Sequence, residues 1–274
     1  MDAEFSAYLL VAEDNQVNQE VAKMMLEVLG CRVDLAENGI QAFERAMEKT
    51  YDLILMDCQM PLMDGFEASR LIRERELADN AGNVAQRRVK IIATTGNTTD
   101  EDRDLCLSMG MDDFLRKPYT IAELRAVLAG WIPAGAAAGA VAGPARGKAI
   151  LSIPETALID RKPLDNIRAL QREGAPDILG KVIDHYLSQS PEFIRKLNEA
   201  VAANDGEIIR SIAHTFKSGS ANLGALRLAE ICAEMESYGN ANTMDVNKEI
   251  LARIETEYEK VGNALAAVSR GETR

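Results

Sequence analysis

The amino-acid sequence predicts two domains, an α/β domain built on a parallel sheet and an all-α helical bundle after it. The first 132 residues alternate short apolar runs with amphipathic stretches, which is the pattern of alternating strands and helices. From Leu158 onward the apolar periodicity is helical almost throughout. Between these parts, residues 133–157 contain PAGAAAGAVAGPARG, which has no periodic apolar face, so we expect a flexible linker there.

Five short apolar segments of the first domain are predicted to be strands. Five strands that alternate with five helices imply a parallel sheet covered by helices on both faces. The predicted strands are residues 7–12, 31–36, 52–56, 89–94 and 111–116, and the clearest helices are residues 17–29, 40–49, 66–76 and 121–131.

Composition excludes several classes of function. The net charge of −12 argues against nucleic acid, whose phosphates need Lys and Arg partners, and against an anionic membrane surface. Residues 1–132 hold most of this charge, with 14 Lys and Arg against 24 Asp and Glu. The four cysteines show no C-x-x-C spacing, and we recognise no signal peptide. We therefore expect free thiols and a cytoplasmic protein, or the cytoplasmic part of a membrane-bound one.

Polar side chains stand at the carboxyl ends of the predicted strands. Glu13 and Asp14 follow the first strand, and Asp57 follows the third. Thr95 follows the fourth strand and Lys117 the fifth. Any one of these residues alone is more often a solvated loop residue or a helix cap. Because parallel strands end at one edge of the sheet, all five are expected to line one crevice.

This set of residues suits phosphoryl chemistry. Three carboxylates in one crevice repel one another unless a cation lies among them, and oxygen ligands suit Mg²⁺. A carboxylate can also act as a nucleophile and form an aspartyl phosphate. A lysine and a hydroxyl, here Lys117 and Thr95, can then bind the phosphoryl oxygens.

Residues 8–130 resemble a response-regulator receiver domain in the motifs VAEDN, LILMDCQMPLMDGFEA, IIATTGN and FLRKP. The segment MDCQMPLMDG is most similar to receivers fused to hybrid sensor kinases. The resemblance implies a flavodoxin-like, doubly wound five-stranded sheet. A long polar insert, ERELADNAGNVAQRRVK, departs from the family pattern before the fourth strand.

The receiver resemblance also implies a role for each site residue. Asp57 is the implied phosphoacceptor, and Mg²⁺ is the implied cofactor. The implied metal ligands are Asp14 with Glu13 beside it, Asp57 and the backbone carbonyl of Gln59; Thr95 and Lys117 bind the phosphoryl group, and Phe114 is the aromatic switch that follows Thr95 inward.

The two histidines of the chain are predicted to differ in environment. On a helix turning 100° per residue, His214 lies about 160° from Phe216, which marks the apolar stripe, so we expect His214 to face solvent with Lys217 near it. This geometry alone does not separate a functional histidine from an idle surface one. His185 falls on the apolar edge of its own helix, so we expect a packed structural side chain.

The segment AHTFKSGSANLGA resembles the signature of a histidine phosphotransfer domain over roughly residues 158–268. The resemblance implies a four-helix bundle with one exposed phosphoacceptor, His214, and a lysine three residues later, Lys217. Ser218 stands where glycine is frequent in that family. The expected domains are a receiver at 1–132, a linker at 133–157 and a phosphotransfer bundle at 158–274.

The resulting hypothesis is a phosphorelay that resembles the C-terminal part of a hybrid sensor kinase. Asp57 would accept a phosphoryl group from an upstream histidine kinase, and His214 would relay it to a downstream response regulator. An alternative is a phosphorylation-switched binding module in which His214 is incidental. A hydrolase is disfavoured because no acid follows Asp57 within two residues, and the chain has no recognisable ATP-binding motif, so its class as an enzyme stays open.

Overall fold

The computed structural model describes residues 4–79, 88–96, 100–132, 158–171, 177–238 and 244–271. The chain divides into two compact units, Met1–Lys148 and Ala149–Arg274. The predicted linker, residues 133–157, lies outside the described residues, as does the centre of the polar insert, residues 80–87. The exact domain boundaries therefore stay a prediction.

The first unit is the predicted α/β domain. Its strands are β1 (Tyr8–Ala12), β2 (Arg32–Ala36), β3 (Leu53–Asp57), β4 (Lys90–Thr95) and β5 (Asp113–Arg116). Its helices are α1 (Gln16–Val28), α2 (Gly39–Glu48), α3 (Gly65–Asp79), α4 (Asp100–Ser108) and α5 (Ile121–Trp131). All strands are parallel, in the order β2-β1-β3-β4-β5, which confirms the doubly wound, flavodoxin-like sheet.

Strand register places the ends of the central strands side by side. All five residues of β3 are buried, as expected for a central strand covered on both faces. Ala12 of β1 pairs with Met56, so the next residues along, Glu13 and Asp57, are neighbours across the sheet. Because the strand order reverses between β1 and β3, this is the switch point where such sheets form their ligand crevice.

In the second unit, the regular elements of the described residues are all helices, as predicted. Its helices are α6 (Arg161–Arg168), α7 (Ile178–Ala203), α8 (Gly206–Asn222), α9 (Leu226–Tyr238) and α10 (Met244–Ser269). Helices α7 to α10 pack pairwise in a four-helix bundle, with α6 against α7. Asn204 ends α7 in the left-handed conformation with φ of 53°.

Aromatic side chains fill the centre of the bundle. Phe216 is fully buried, and its ring centroid lies 5.7 Å from that of Phe193 and 5.9 Å from that of Tyr258. The Tyr186 hydroxyl lies 2.8 Å from the Ser220 hydroxyl, so both buried polar groups are satisfied. This core fixes the face of α8 that points inward.

No helix among the described residues combines the length and apolarity needed to cross a membrane.

A charged cluster on the β2 side of the sheet fastens helix α2 to the strands. Asp34 Oδ2 accepts hydrogen bonds from the Tyr8 hydroxyl at 2.6 Å, the Tyr51 hydroxyl at 2.8 Å and Lys49 Nζ at 2.6 Å. Partial burial alone would raise the pKa of Asp34. The bonds from Lys49, Tyr8 and Tyr51 outweigh it and lower this pKa from 3.8 to about 2.

We expect Asp34→Asn to destabilise the first unit by about 2 kcal/mol at pH 7. The pKa of Asp34 is lower in the folded than in the unfolded chain. Its stabilisation is therefore present above about pH 4 and is lost as pH falls toward 2. Denaturant unfolding followed by Trp131 fluorescence measures this unit, because Trp131 is the single tryptophan and bonds Asp113 within it.

Glu37→Gln, at an exposed carboxylate just after β2, is the matched control and should change stability little. A loss for Asp34→Asn that stays constant between pH 7 and pH 2.5 would contradict this account.

Candidate functional site

Three carboxylates meet at the carboxyl edge of the sheet, as the sequence predicts. One oxygen from each of Glu13, Asp14 and Asp57 lies within 4.8 Å of the other two. Glu13 and Asp57 are 3% and 2% exposed, whereas Asp14 is partly exposed. Such buried carboxylates need compensating charge, so this group is a candidate cation site.

Lys117 supplies part of that charge. Its Nζ donates to Asp57 Oδ2 at 2.6 Å and also to Glu13 Oε2. Its backbone N–H donates to the Thr95 carbonyl at 2.8 Å, which ties the lysine to the end of β4. Burial alone would lower the pKa of Lys117, but the Asp57 and Glu13 carboxylates raise it above its ordinary value. The lysine is therefore a charged contact of the predicted phosphoacceptor.

Helix α1 supports the crevice with two amides that sequence reasoning missed. Asn18 Nδ2 donates to Glu13 Oε1 at 2.7 Å, and Gln19 Nε2 donates to the Glu13 carbonyl at 2.5 Å. Both side chains are buried. Their signal in the sequence is that two amides lie in the first turn of a helix whose other buried side chains are apolar, one turn after the acidic pair.

The other predicted residues of the crevice have mixed outcomes. Thr95 ends β4 and is half-buried, and its role as a ligand of a phosphoryl group stays a prediction. Gln59 donates its backbone N–H to Asp57 Oδ1 at 3.3 Å, while the role of its carbonyl as a metal ligand stays a prediction. Phe114 on β5 is half-buried, with the Arg103 guanidinium carbon 5.9 Å from its ring centroid. Its role as a switch also stays a prediction.

The glycine of MPLMDG lets the loop after β3 close against the strand. A Cβ on Gly65 would lie 2.0 Å from the Asp57 carbonyl oxygen, a distance that no side chain can take. Gly65 N–H also donates to the Cys58 carbonyl at 3.1 Å. The backbone position of Asp57 therefore depends on a residue without a side chain at 65.

In the bundle, His214 lies on α8 as predicted, but the expectation that it faces solvent is wrong. The residue is only 8% exposed. The prediction uses only the angle between His214 and the apolar stripe of its own helix. It takes no account of side chains from α9, which packs closely against α8 and covers the imidazole.

Glu236 of α9 is the residue that covers His214, and sequence reasoning missed it. His214 Nδ1 lies 2.9 Å from Glu236 Oε1, and Lys217 Nζ donates to Glu236 Oε2 at 2.6 Å. Burial alone would raise the pKa of Glu236, but His214 and Lys217 hold it below its usual range. The carboxylate therefore accepts from Nδ1–H and leaves Nε2 as the ring nitrogen with a free lone pair.

His185 on α7 is half-buried, in agreement with the predicted structural role. Its Nε2 is buried and has no hydrogen-bond partner among the described residues. The side chain is thus packed rather than hydrogen-bonded through this atom.

We expect Gly65→Ala to destabilise the first unit by about 1–3 kcal/mol, because the Asp57 carbonyl must move away from the new Cβ. Gly130→Ala is the matched control. A Cβ there meets nothing within 4 Å, so this change in α5 should stabilise by about 0.5–1 kcal/mol. Denaturant midpoints of unfolding, measured for both variants, test this difference. Equal shifts of the two midpoints from the wild-type value would refute the close approach at Gly65.

We expect the neutral His214 ring to carry its proton on Nδ1, because Glu236 accepts from that atom. Nitrogen NMR of the ring at alkaline pH should show this tautomer in the wild type. In Glu236→Ala the ring should move toward the Nε2–H form. The control Glu234→Ala removes another carboxylate of α9, one that pairs with Arg253 of α10, and should leave the tautomer unchanged. An unaltered tautomer in Glu236→Ala would exclude the orienting role.

Two protein families match the chain. Residues 9–129 match the response regulator receiver domain, and residues 181–264 match the Hpt domain. Among curated proteins, hybrid signal transduction histidine kinase B of Dictyostelium discoideum is 44% identical over 119 residues, which are 42% of this chain and 6% of that protein. Histidine kinase 5 of Arabidopsis thaliana is 41% identical over 138 residues, 44% of this chain and 15% of that protein. The chain thus spans a small part of these relatives.

Solved structures also resemble the chain. The receiver domain of a Pseudomonas aeruginosa sensor histidine kinase, crystallised with magnesium in its active-site cleft, is 45% identical and covers 46% of this chain and 98% of its own, with a TM-score of 0.41. Another match is a co-crystal structure of a Saccharomyces cerevisiae histidine phosphotransfer protein with the receiver domain of its downstream response regulator. The match is 30% identical and covers 47% of this chain and 90% of the matched chain, with a TM-score of 0.44. From the two family matches, this chain carries a response regulator receiver domain followed by a histidine phosphotransfer (Hpt) domain.

Proposed function

We propose that the chain is a phosphorelay protein of a two-component system, in which Asp57 receives a phosphoryl group and His214 passes it on. The observation that carries this proposal is the presence, in one chain, of a buried aspartate bonded to Lys117 and of a histidine oriented by Glu236. Each centre has the groups that its half of a relay requires. The upstream donor is a histidine kinase and the downstream acceptor a response regulator.

The first step loads Asp57. A carboxylate oxygen of Asp57 attacks the phosphorus, the bond from phosphorus to the donor histidine nitrogen breaks, and an aspartyl phosphate forms. Lys117 already contacts Asp57 Oδ2, so its charge can move to the phosphoryl oxygens without a large rearrangement. Thr95, at the end of the neighbouring strand, supplies a hydroxyl to the same group.

The carboxylates of the crevice fit a small divalent cation because their oxygens converge within 4.8 Å. Glu13, Asp14 and Asp57, with the Gln59 carbonyl, would hold Mg²⁺. When bound, Mg²⁺ neutralises part of the negative charge that gathers on the phosphoryl oxygens. Lys117, which follows β5, would neutralise another part of that negative charge.

The second step moves the phosphoryl group to His214. The lone pair on Nε2 attacks phosphorus, the bond to the Asp57 oxygen breaks, and a phosphohistidine forms. The ring gains positive charge in this step, and Glu236 at 2.9 Å from Nδ1 stabilises that charge. Lys217 shares the same carboxylate and lies three residues from His214, so it is placed to meet the incoming phosphate.

The binding-module alternative treats His214 as incidental. The contacts of His214 argue against that view, because Glu236 and Lys217 form a charged network around it in a mostly buried setting. An idle histidine needs no such partners. The relay is therefore the better account of the second domain.

The proposal predicts a strict order of labelling. With a labelled acyl phosphate or a phosphorylated kinase plus Mg²⁺, wild-type chain should gain label on Asp57 and then on His214. Asp57→Asn should gain label on neither residue. His214→Gln should keep label on Asp57 and fail to pass it to an added response regulator, while a chelator should abolish loading.

His185→Gln is the matched control, because it removes the other histidine and should transfer as the wild type does. Phosphohistidine survives alkali and acyl phosphate does not, so treatment with alkali separates the two products. Onward transfer by His214→Gln at the wild-type rate would refute the relay and leave the binding module in its place.

A further inference from the structure

Two buried thiols lie close together next to the proposed phosphoacceptor. Cys58 follows Asp57 at the end of β3, and Cys106 lies on α4. Their Sγ atoms are 3.9 Å apart and share a hydrogen bond, and both residues are buried. Cys31 and Cys232 are also free and buried, and they serve as internal references.

Cys106 is the main anchor of the described part of α4. Among side chains 103–108, Cys106 is 2% exposed, whereas Leu105 and Leu107 are 40% and 44% exposed. Helices that bury few side chains open locally at low free-energy cost. Opening of α4 would bring Cys106 to solvent, where a small oxidant can reach it.

The backbone around Cys58 links this pair to the phosphoacceptor. Cys58 N–H donates to the Thr94 carbonyl at 3.1 Å, and its carbonyl accepts from Gly65 N–H at 3.1 Å. Cys58 is thus held by backbone hydrogen bonds on both sides, whereas Cys106 lies on a helix that buries few of its described side chains. A covalent bond between the sulfurs would tie α4 to the residue next to Asp57.

We propose that Cys58 and Cys106 are a site of reversible oxidative modification, which forms an intradomain disulfide when a hydroperoxide is the oxidant. The hydroperoxide transfers one oxygen to the Cys106 thiol, giving a sulfenic acid, and is itself reduced to water or an alcohol. The Cys58 sulfur then attacks Cys106 sulfur, the S–O bond breaks, and the hydroxyl leaves as water with the Cys58 proton. The sulfurs must close from 3.9 Å to about 2.05 Å, which motion of α4 can supply.

The test oxidises the full chain with hydrogen peroxide and maps its peptides without reduction. The expected product is one cross-linked peptide pair that contains Cys58 and Cys106, with a loss of two hydrogens in mass and full recovery of both thiols after dithiothreitol. Cys31→Ala and Cys232→Ala should give the same product, and Cys106→Ala should not. Trp131 fluorescence checks that the first unit of each variant is folded, and far-UV circular dichroism checks the helical second unit of Cys232→Ala.

Mapping of the wild type assigns the sulfurs even if Cys106→Ala fails to fold. The proposal is overturned if Cys58 and Cys106 stay reduced while the rest of the chain is oxidised. It is also overturned if they oxidise without cross-linking, or cross-link only between chains.

A further expectation rests on the proposed function. Oxidised chain should load Asp57 several-fold more slowly than reduced chain, because the cross-link holds α4 against the residue next to Asp57. Asp57→Asn should form the disulfide as the wild type does, so the cross-link is measured independently of loading. Failure of loading in the reduced wild type would count against the relay alone. Absence of the cross-link would count against the disulfide alone.

Discussion

The contacts of Lys117 with Asp57 and Glu13 are the constraint on which the receiver site depends. Burying one ammonium and two carboxylates costs several kcal/mol per ion unless each finds its partners. The carboxyl ends of β1, β3 and β5 must therefore stay in register, and the fully buried β3 gives them a rigid centre. A sheet that slipped by one residue would turn Asp57 to the other face and leave Lys117 unpaired.

In the bundle, a single partly buried carboxylate is the shared partner of two side chains. Glu236 is bonded to a ring nitrogen of His214 and to the ammonium of Lys217, so a single acidic side chain on α9 positions two residues of α8. In both domains the proposed phosphoacceptor is held by a partner from another element of the fold. In the proposed relay its orientation is thus fixed before a phosphoryl group arrives, which lowers the cost of reaching the transition state.

The receiver site could be predicted from sequence because its residues follow the ends of strands. Apolar runs marked β1, β3, β4 and β5, and parallel strands necessarily bring Asp57, Thr95 and Lys117 to one edge. The partners that come from helix packing could not be predicted in this way. Glu236 is 22 residues from His214 and Cys106 is 48 residues from Cys58, and periodicity on one helix carries no information about which neighbour it meets.

The burial of His214 has a consequence for how a partner must approach. In the proposed relay Nε2 is the nitrogen that receives the phosphoryl group, because Nδ1 is bonded to Glu236, and the His214 side chain is only 10% exposed. A receiver must therefore come close to α8, and bulky neighbours would prevent it. Ser218 and Ala221, one and two turns beyond His214 on the same side of the helix, are small and partly buried, so they leave room for that approach. The small side chain at 218 thus leaves the approach to His214 unobstructed on this side of α8.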